Sequence, residues 1–281
     1  MALLAILALT GERPAPLLAD QRTPEWVLQS GLVGGMNPTV FGVSARAGYS
    51  IPLSDDPGML WRSTRLEPGV DILANPSFTD VAARIYLEPI AFFDIRAEAG
   101  VRAHYTALGY GLVPRPSYGQ ELTAASGDDH ETESATGWFI RVAPRLKAAA
   151  GPFIAANTLT AAWYFLEGTE APYLEESVTL RVIAREDLVL QNVTHLLYQF
   201  RDAPGPFAAL GLEYARAWVP AASRSEQKPL QRVALMGVYV LEPAPRMELQ
   251  TALFAGAYPT GDPIGRERPF LLGALTLVKR L

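Results

Sequence analysis

His104, His130 and His195 are the only histidines in this 281-residue chain, and cysteine is absent. Thiolate nucleophiles, thiolate metal sites and disulfides are therefore excluded. His104 shares one alternating face with Asp94, Arg96, Glu98 and Arg102, a setting suited to hydrogen bonding inside a polar interior. His195 falls on a similar face with Gln191, Gln199 and Arg201. Asp128-Asp129-His130-Glu131 offers the hard oxygens that a divalent cation takes. Its spacing fits no metal-loop signature, however, and its Ala, Ser, Gly and Thr neighbours read as a solvated loop tip. No metal and no cofactor is expected.

Arginine is the stronger signal. Lysine occurs only at Lys147, Lys228 and Lys279, so 21 of the 24 Lys+Arg residues are arginine. Nine of them, Arg84, Arg96, Arg102, Arg141, Arg145, Arg181, Arg185, Arg232 and Arg246, lie on the charged faces of alternating segments. Asp80, Glu88, Asp94, Glu98, Glu175 and Glu248 share those faces. An arginine-rich wall can pass anions. The same residues can instead pair with carboxylates across neighbouring strands and stiffen a narrow interior. The expected interior set is Arg84, Asp94, Arg96, Glu98, Arg102, His104, Arg141, Arg145, Arg181, Arg185, Arg232, Arg246 and Glu248.

Strands must position these residues. In Phe93–Tyr105 every odd position is apolar, while the even positions are Asp94, Arg96, Glu98, Gly100, Arg102 and His104. A helix would scatter those charges; a strand gathers them on one face. The same period predicts strands at 39–53, 60–74, 78–88, 92–106, 137–150, 153–166, 173–186, 189–201, 207–219, 229–242, 245–258 and 269–281, with a weaker one at 26–34. Proline-bearing turns such as Asn75-Pro76 and Gly151-Pro152 punctuate them, and one long loop spans 107–136.

Composition limits how such strands bury themselves. The chain is 49% hydrophobic and only 19% charged, with a net charge of −5. Its longest apolar run, Ala2–Leu9, is far short of the roughly 20 residues of a membrane-spanning helix. Disorder and nucleic-acid binding fit neither the aromatic content nor the acidic balance. Residues 1–20 read as a secretory signal peptide. Residues 21–38 then form a plug-like segment or first strand, and 39–281 the body of the protein.

A soluble β-sandwich would bury the apolar faces against one another, whereas a membrane barrel turns them to lipid. Aromatic residues near strand ends, among them Tyr49, Trp61, Trp138, Trp218 and Tyr258, match interfacial girdles. Charged faces poor in lysine suit a confined interior. The fold class expected is all-β, a single antiparallel transmembrane β-barrel of about 12 strands.

Over residues 39–281 the chain resembles bacterial outer-membrane β-barrel proteins of the porin-like class. The terminal strand Pro269–Leu281 is similar to the C-terminal strand read by the barrel-assembly machinery, but ends in Leu281 and carries Lys279 on its apolar face. The resemblance implies outer-membrane lipids and that machinery as partners. It also offers a comparison with outer-membrane phospholipase, whose His and nucleophilic Ser lie two residues apart on one strand face. Here the matching position is Thr106, with no companion arrangement, so no enzyme is expected.

Function is expected to be a narrow passive channel for small, anionic solutes. The alternatives are a closed structural or adhesion barrel acting through loop 107–136, and a lipid hydrolase. One conflict stands. Twelve strands without 26–34 put the long loop on the periplasmic side. Adding 26–34 makes thirteen, which points to a misread hairpin near Glu186–Leu190.

Overall fold

The computed structural model describes residues 23–36, 40–56, 58, 60–61, 63–106, 111–118, 132–176, 180–200, 207–222, 227–260 and 269–281. The expected signal peptide and the Asp128–Glu131 cluster lie outside these residues. Fifteen strands are described: β1 Glu25–Met36, β2 Val40–Pro52, β3 Arg65–Ala74, β4 Phe78–Ile90, β5 Phe93–His104, β6 Val113–Arg115, β7 Ala135–Ala150, β8 Phe153–Glu167, β9 Tyr173–Glu176, β10 Arg181–Ala184, β11 Glu186–Gln199, β12 Phe207–Trp218, β13 Leu230–Ala244, β14 Met247–Thr260 and β15 Phe270–Arg280.

Twelve of them close into one antiparallel barrel in the order β1-β2-β3-β4-β5-β7-β8-β11-β12-β13-β14-β15. Closure comes from β1 against β15, running from Val27 opposite Arg280 to Met36 opposite Leu271. Trp26 and Leu281 then exchange backbone hydrogen bonds of 3.2 and 2.9 Å. No sheet edge is left open along this ring, so every wall strand has two partners.

The conflict in strand count is thereby resolved. Residues 25–36 are a full wall strand, whereas 173–186 is not. Its two halves, β9 and β10, pair with each other and with β6 as a separate three-stranded sheet. Leu180 at φ 56° breaks the extended run between them. Period two is shared by a wall strand and a short hairpin, so alternation by itself does not separate them. With this exchange the first and last wall strands begin and end at one rim. The described residues 111–118 and 132–134 and the small sheet stand at the other rim.

Alternation now has a direct physical reading. Leu235, Val101 and Leu253 are 60%, 60% and 57% exposed on the outward face, and their strand neighbours Ala234, Arg102 and Ala252 are buried inside. A soluble sandwich would hide those large apolar side chains between two sheets. A single closed wall turns them outward, where only lipid makes such a surface favourable. Aromatic pairs mark both edges of the apolar belt: Trp26 with Tyr49 at 5.3 Å near the closure rim, and Trp138 stacked on Phe165 at 3.6 Å near the loop rim.

Candidate functional site

The interior is built unevenly. Strands β2 to β5 and β7 form a charged wall, because their inward positions alternate cation and carboxylate from one strand to the next. Paired residues of an antiparallel ladder point to the same face about 5 Å apart. That register sets Arg46 beside Asp71, Arg102 beside Asp80 and Arg141 beside Glu98.

Side-chain geometry follows the register. Arg46 donates to both Asp71 oxygens at 2.9 and 3.1 Å, and to Gln29 of β1 at 3.3 Å. Arg84 bonds Glu67 and reaches Asp71 at 3.2 Å. Arg102 grips Asp80 through Nε at 2.5 Å and Nη2 at 2.6 Å. Its guanidinium also lies over the rings of Phe78 and Tyr164, 4.2 and 5.1 Å from their centroids. Arg141 donates to Glu98 at 2.6 Å and stands 3.8 Å from Asp80, which links two pairs into one network. Toward the closure rim Arg145 and Lys147 share Asp94, each at 2.9 Å, and Lys147 also bonds Glu88 at 2.8 Å. Within this wall lies a cavity of about 30 Å³, lined by Gln29, Arg46, Asp71, Asp80, Arg96, Glu98 and Arg141. By volume it holds one or two waters.

The opposite side is apolar. Inward positions of β11 to β15 are filled by Val193, Ala215, Ala234, Met236, Ala252, Phe254, Phe270 and Leu272, all buried. Polar groups interrupt them at Glu248, 3.7 Å from Arg280 and beside Gln250, and in an ion cluster about Glu213. Glu213 accepts from Arg232 Nε at 2.8 Å and lies 3.0 Å from His195 Nε2. All three are nearly inaccessible to solvent. Burying a carboxylate among apolar groups is tolerable only with such partners.

The small sheet covers part of the loop rim. Leu112, Leu174 and Ile183 pack with the inward residues Phe139, Tyr164, Leu166 and Val189 in one buried cluster. Tyr118 donates to Asp187 at 2.8 Å, and Gln227 to the Val182 carbonyl at 3.0 Å. Segments following β5, β8 and β12 are thus tied into one cap.

The thirteen residues expected in the interior divide by position. Arg84, Asp94, Arg96, Glu98, Arg102, His104, Arg141, Arg145, Arg232 and Glu248 all face inward. Three do not. Arg181 lies on β10 in the cap, where it donates to the carbonyls of Leu180 and Lys228, each at 2.7 Å. Burial pushes its pKa down to about 10, while the Glu175 carboxylate pulls the other way. Arg185 joins β10 to β11 and bonds the Ala171 carbonyl at 3.2 Å. Both lie outside the wall because 173–186 folds into the cap hairpin and not into one wall strand. Arg246 is exposed at φ 60° in the turn between β13 and β14, because Pro245 ends the alternation there. His104 is buried 5.6 Å from the Phe78 ring, and Thr106 is exposed beyond the end of β5.

Arg46, Arg65, Glu67, Asp71 and Glu213 belong to the interior as well, although the sequence reading omitted them. Their signal was the same alternation: Leu66, Val70 and Ile72 outward against Arg65, Glu67 and Asp71 inward.

A closed twelve-stranded antiparallel barrel with an apolar exterior and ion-paired interior defines a transmembrane β-barrel of the outer-membrane class. No protein-family model matches the chain, and no curated protein matches it either. Among solved structures it is similar to the β domain of the Bordetella autotransporter BrkA, at 9% identity over 92% of this chain and 97% of that one, TM-score 0.48. It is also similar to an outer-membrane channel from Pseudomonas putida F1, at 11% identity over 96% and 100%, TM-score 0.47. The translocator domain of the autotransporter NalP from Neisseria meningitidis matches at 11% identity over 92% and 88%, TM-score 0.44. The class rests on the geometry of this chain itself, and none of these neighbours is near enough to define its role.

Proposed function

We propose that the chain resides in a bacterial outer membrane as a narrow passive channel for small solutes, with a preference for anions. The charge balance of the polar wall carries this reading. Among the described residues of β2 to β5 and β7, the inward cations are Arg46, Arg65, Arg84, Arg96, Arg102, Arg141, Arg145 and Lys147. The inward carboxylates are Glu67, Asp71, Asp80, Glu88, Asp94 and Glu98. Six pairs leave two cations over, and fixed charge in a confined low-dielectric interior selects the opposite ion. Twelve strands lie between barrels filled by their own side chains and open porins. No catalytic step is part of this proposal.

A second reading, a barrel closed at its loop rim and acting through its loops, is favoured by the cap that packs onto Phe139, Tyr164 and Val189. Planar-bilayer recording separates the two. Under a salt gradient, the channel reading expects discrete steps and a reversal potential of anion-selective sign. Replacing Arg96 and Arg141 by Gln should move that potential toward zero. Folded protein that inserts but gives no steps defeats the channel and supports the closed barrel.

A further inference from the structure

We propose that the outward row Asn192–Arg216–Gln231, on β11, β12 and β13, binds the phosphate of an anionic lipid headgroup. The inference rests on the membrane reading of the barrel and names a ligand for its outer face. Most outward positions on these strands are apolar, among them Leu196 and Tyr198 on β11, Leu210 and Leu212 on β12 and Leu235 on β13, while Thr194 on β11 accepts from Asn157 at 2.8 Å beside the row. The row interrupts them in register, with Asn192 opposite Arg216 and Arg216 opposite Gln231. Residues so paired face the same side at about 5 Å, so three donor side chains converge on one patch.

A cation on the lipid face is costly unless its charge is met. Arg216 has no carboxylate among the outward described positions from Leu188 to Tyr198 on β11 or from Leu210 to Trp218 on β12. Its Nε–H is buried without a hydrogen-bond acceptor among the described residues. The guanidinium lies 5.2 Å from the Trp218 ring centroid, one outward position toward the loop rim, and an arginine stem reaches a headgroup from there. Asn192 is oriented by a reciprocal amide pair with Asn157, outward on the neighbouring strand β8, 3.1 Å each way. A second copy of this chain docked symmetrically on the row would bring arginine to a surface without carboxylate. A phosphate supplies both the charge and the acceptors, and guanidinium–phosphate contacts are among the stronger hydrogen bonds.

The test uses the full barrel refolded into zwitterionic phosphatidylcholine vesicles, with and without a minor fraction of phosphatidylglycerol. Wild-type protein should unfold at higher temperature when phosphatidylglycerol is present and should retain it in native mass spectrometry. Arg216→Leu should lose the shift and retain roughly tenfold less lipid, the loss expected for one charged contact. Lys279→Gln, at the opposite rim, should keep both. Gln231→Leu carries the same test should Arg216→Leu not fold. Equal retention by wild type and the row variants overturns the proposal, as does a wild-type dimer that Arg216→Leu dissociates. Protein that never acquires the heat-resistant compact band in either vesicle refutes instead the membrane reading on which the row depends.

Discussion

Asp80→Asn is the substitution that best measures what the interior is made of. Asp80 accepts from Arg102 Nε and Nη2, at 2.5 and 2.6 Å, and it stands 3.8 Å from Arg141. Arg102 is 1% exposed. At an effective dielectric of about 20, unit charges 2.6 Å apart attract by about 6 kcal/mol; in bulk water the figure is about 1.6 kcal/mol. Asparagine keeps the volume and one acceptor but removes the charge. If the wall is dry, burying the guanidinium without this carboxylate should cost about 3–5 kcal/mol. If water fills the space, the cost should stay near 1 kcal/mol. Urea unfolding in lipid vesicles, followed by tryptophan fluorescence, reads this directly. The companion variant Asp80→Leu with Arg102→Met removes both charges and should recover most of the loss, since an apolar pair of similar size is often neutral or stabilising. A single-variant cost below about 1 kcal/mol, together with strict additivity in the double variant, would refute the dry ion-paired wall.

Two further outcomes are expected. Gly211→Ala should block compact folding or cost about 1–3 kcal/mol, because a Cβ there would sit 1.9 Å from the Leu196 carbonyl oxygen and force β11 and β12 apart; the heat-modifiable band on a gel reports it, and a wild-type midpoint would show the close approach to be wrong. Asp187→Ala removes the acceptor of the Tyr118 hydroxyl and of the Ala184 amide, at 2.8 and 3.0 Å; limited trypsin should then cut the cap faster while the barrel band stays intact, and unchanged cleavage would show that Asp187 does not hold the cap.

Much of this architecture was legible residue by residue. Phe93–Tyr105 displays its strand, its lipid face and its charged face in the alternation itself, because successive side chains of an extended backbone point to opposite sides. The inward placement of Arg84, Arg96, Arg102, Arg141 and Arg145 follows from that local rule, and so does the apolar exterior. Leu66, Val70 and Ile72 carried the same message for β3, so Arg65, Glu67 and Asp71 were within reach of it.

What local order did not determine was membership in the ring. Residues 173–186 alternate as well as any wall strand, yet Leu180 turns at φ 56° and the two halves pair with each other in the cap, where β9 also pairs with β6. Residues 25–36 looked weaker and nonetheless close the barrel, through hydrogen bonds to a segment some 245 positions away, as Met36 pairs with Leu271 and Val27 with Arg280. Closure and register are long-range backbone pairings, and they also decide which arginine meets which carboxylate. Alternation determined the two faces of each strand; only the tertiary structure decided that twelve particular strands share one wall, that Arg181, Arg185 and Arg246 stand outside its interior, and that Asn192, Arg216 and Gln231 line up on its outer face.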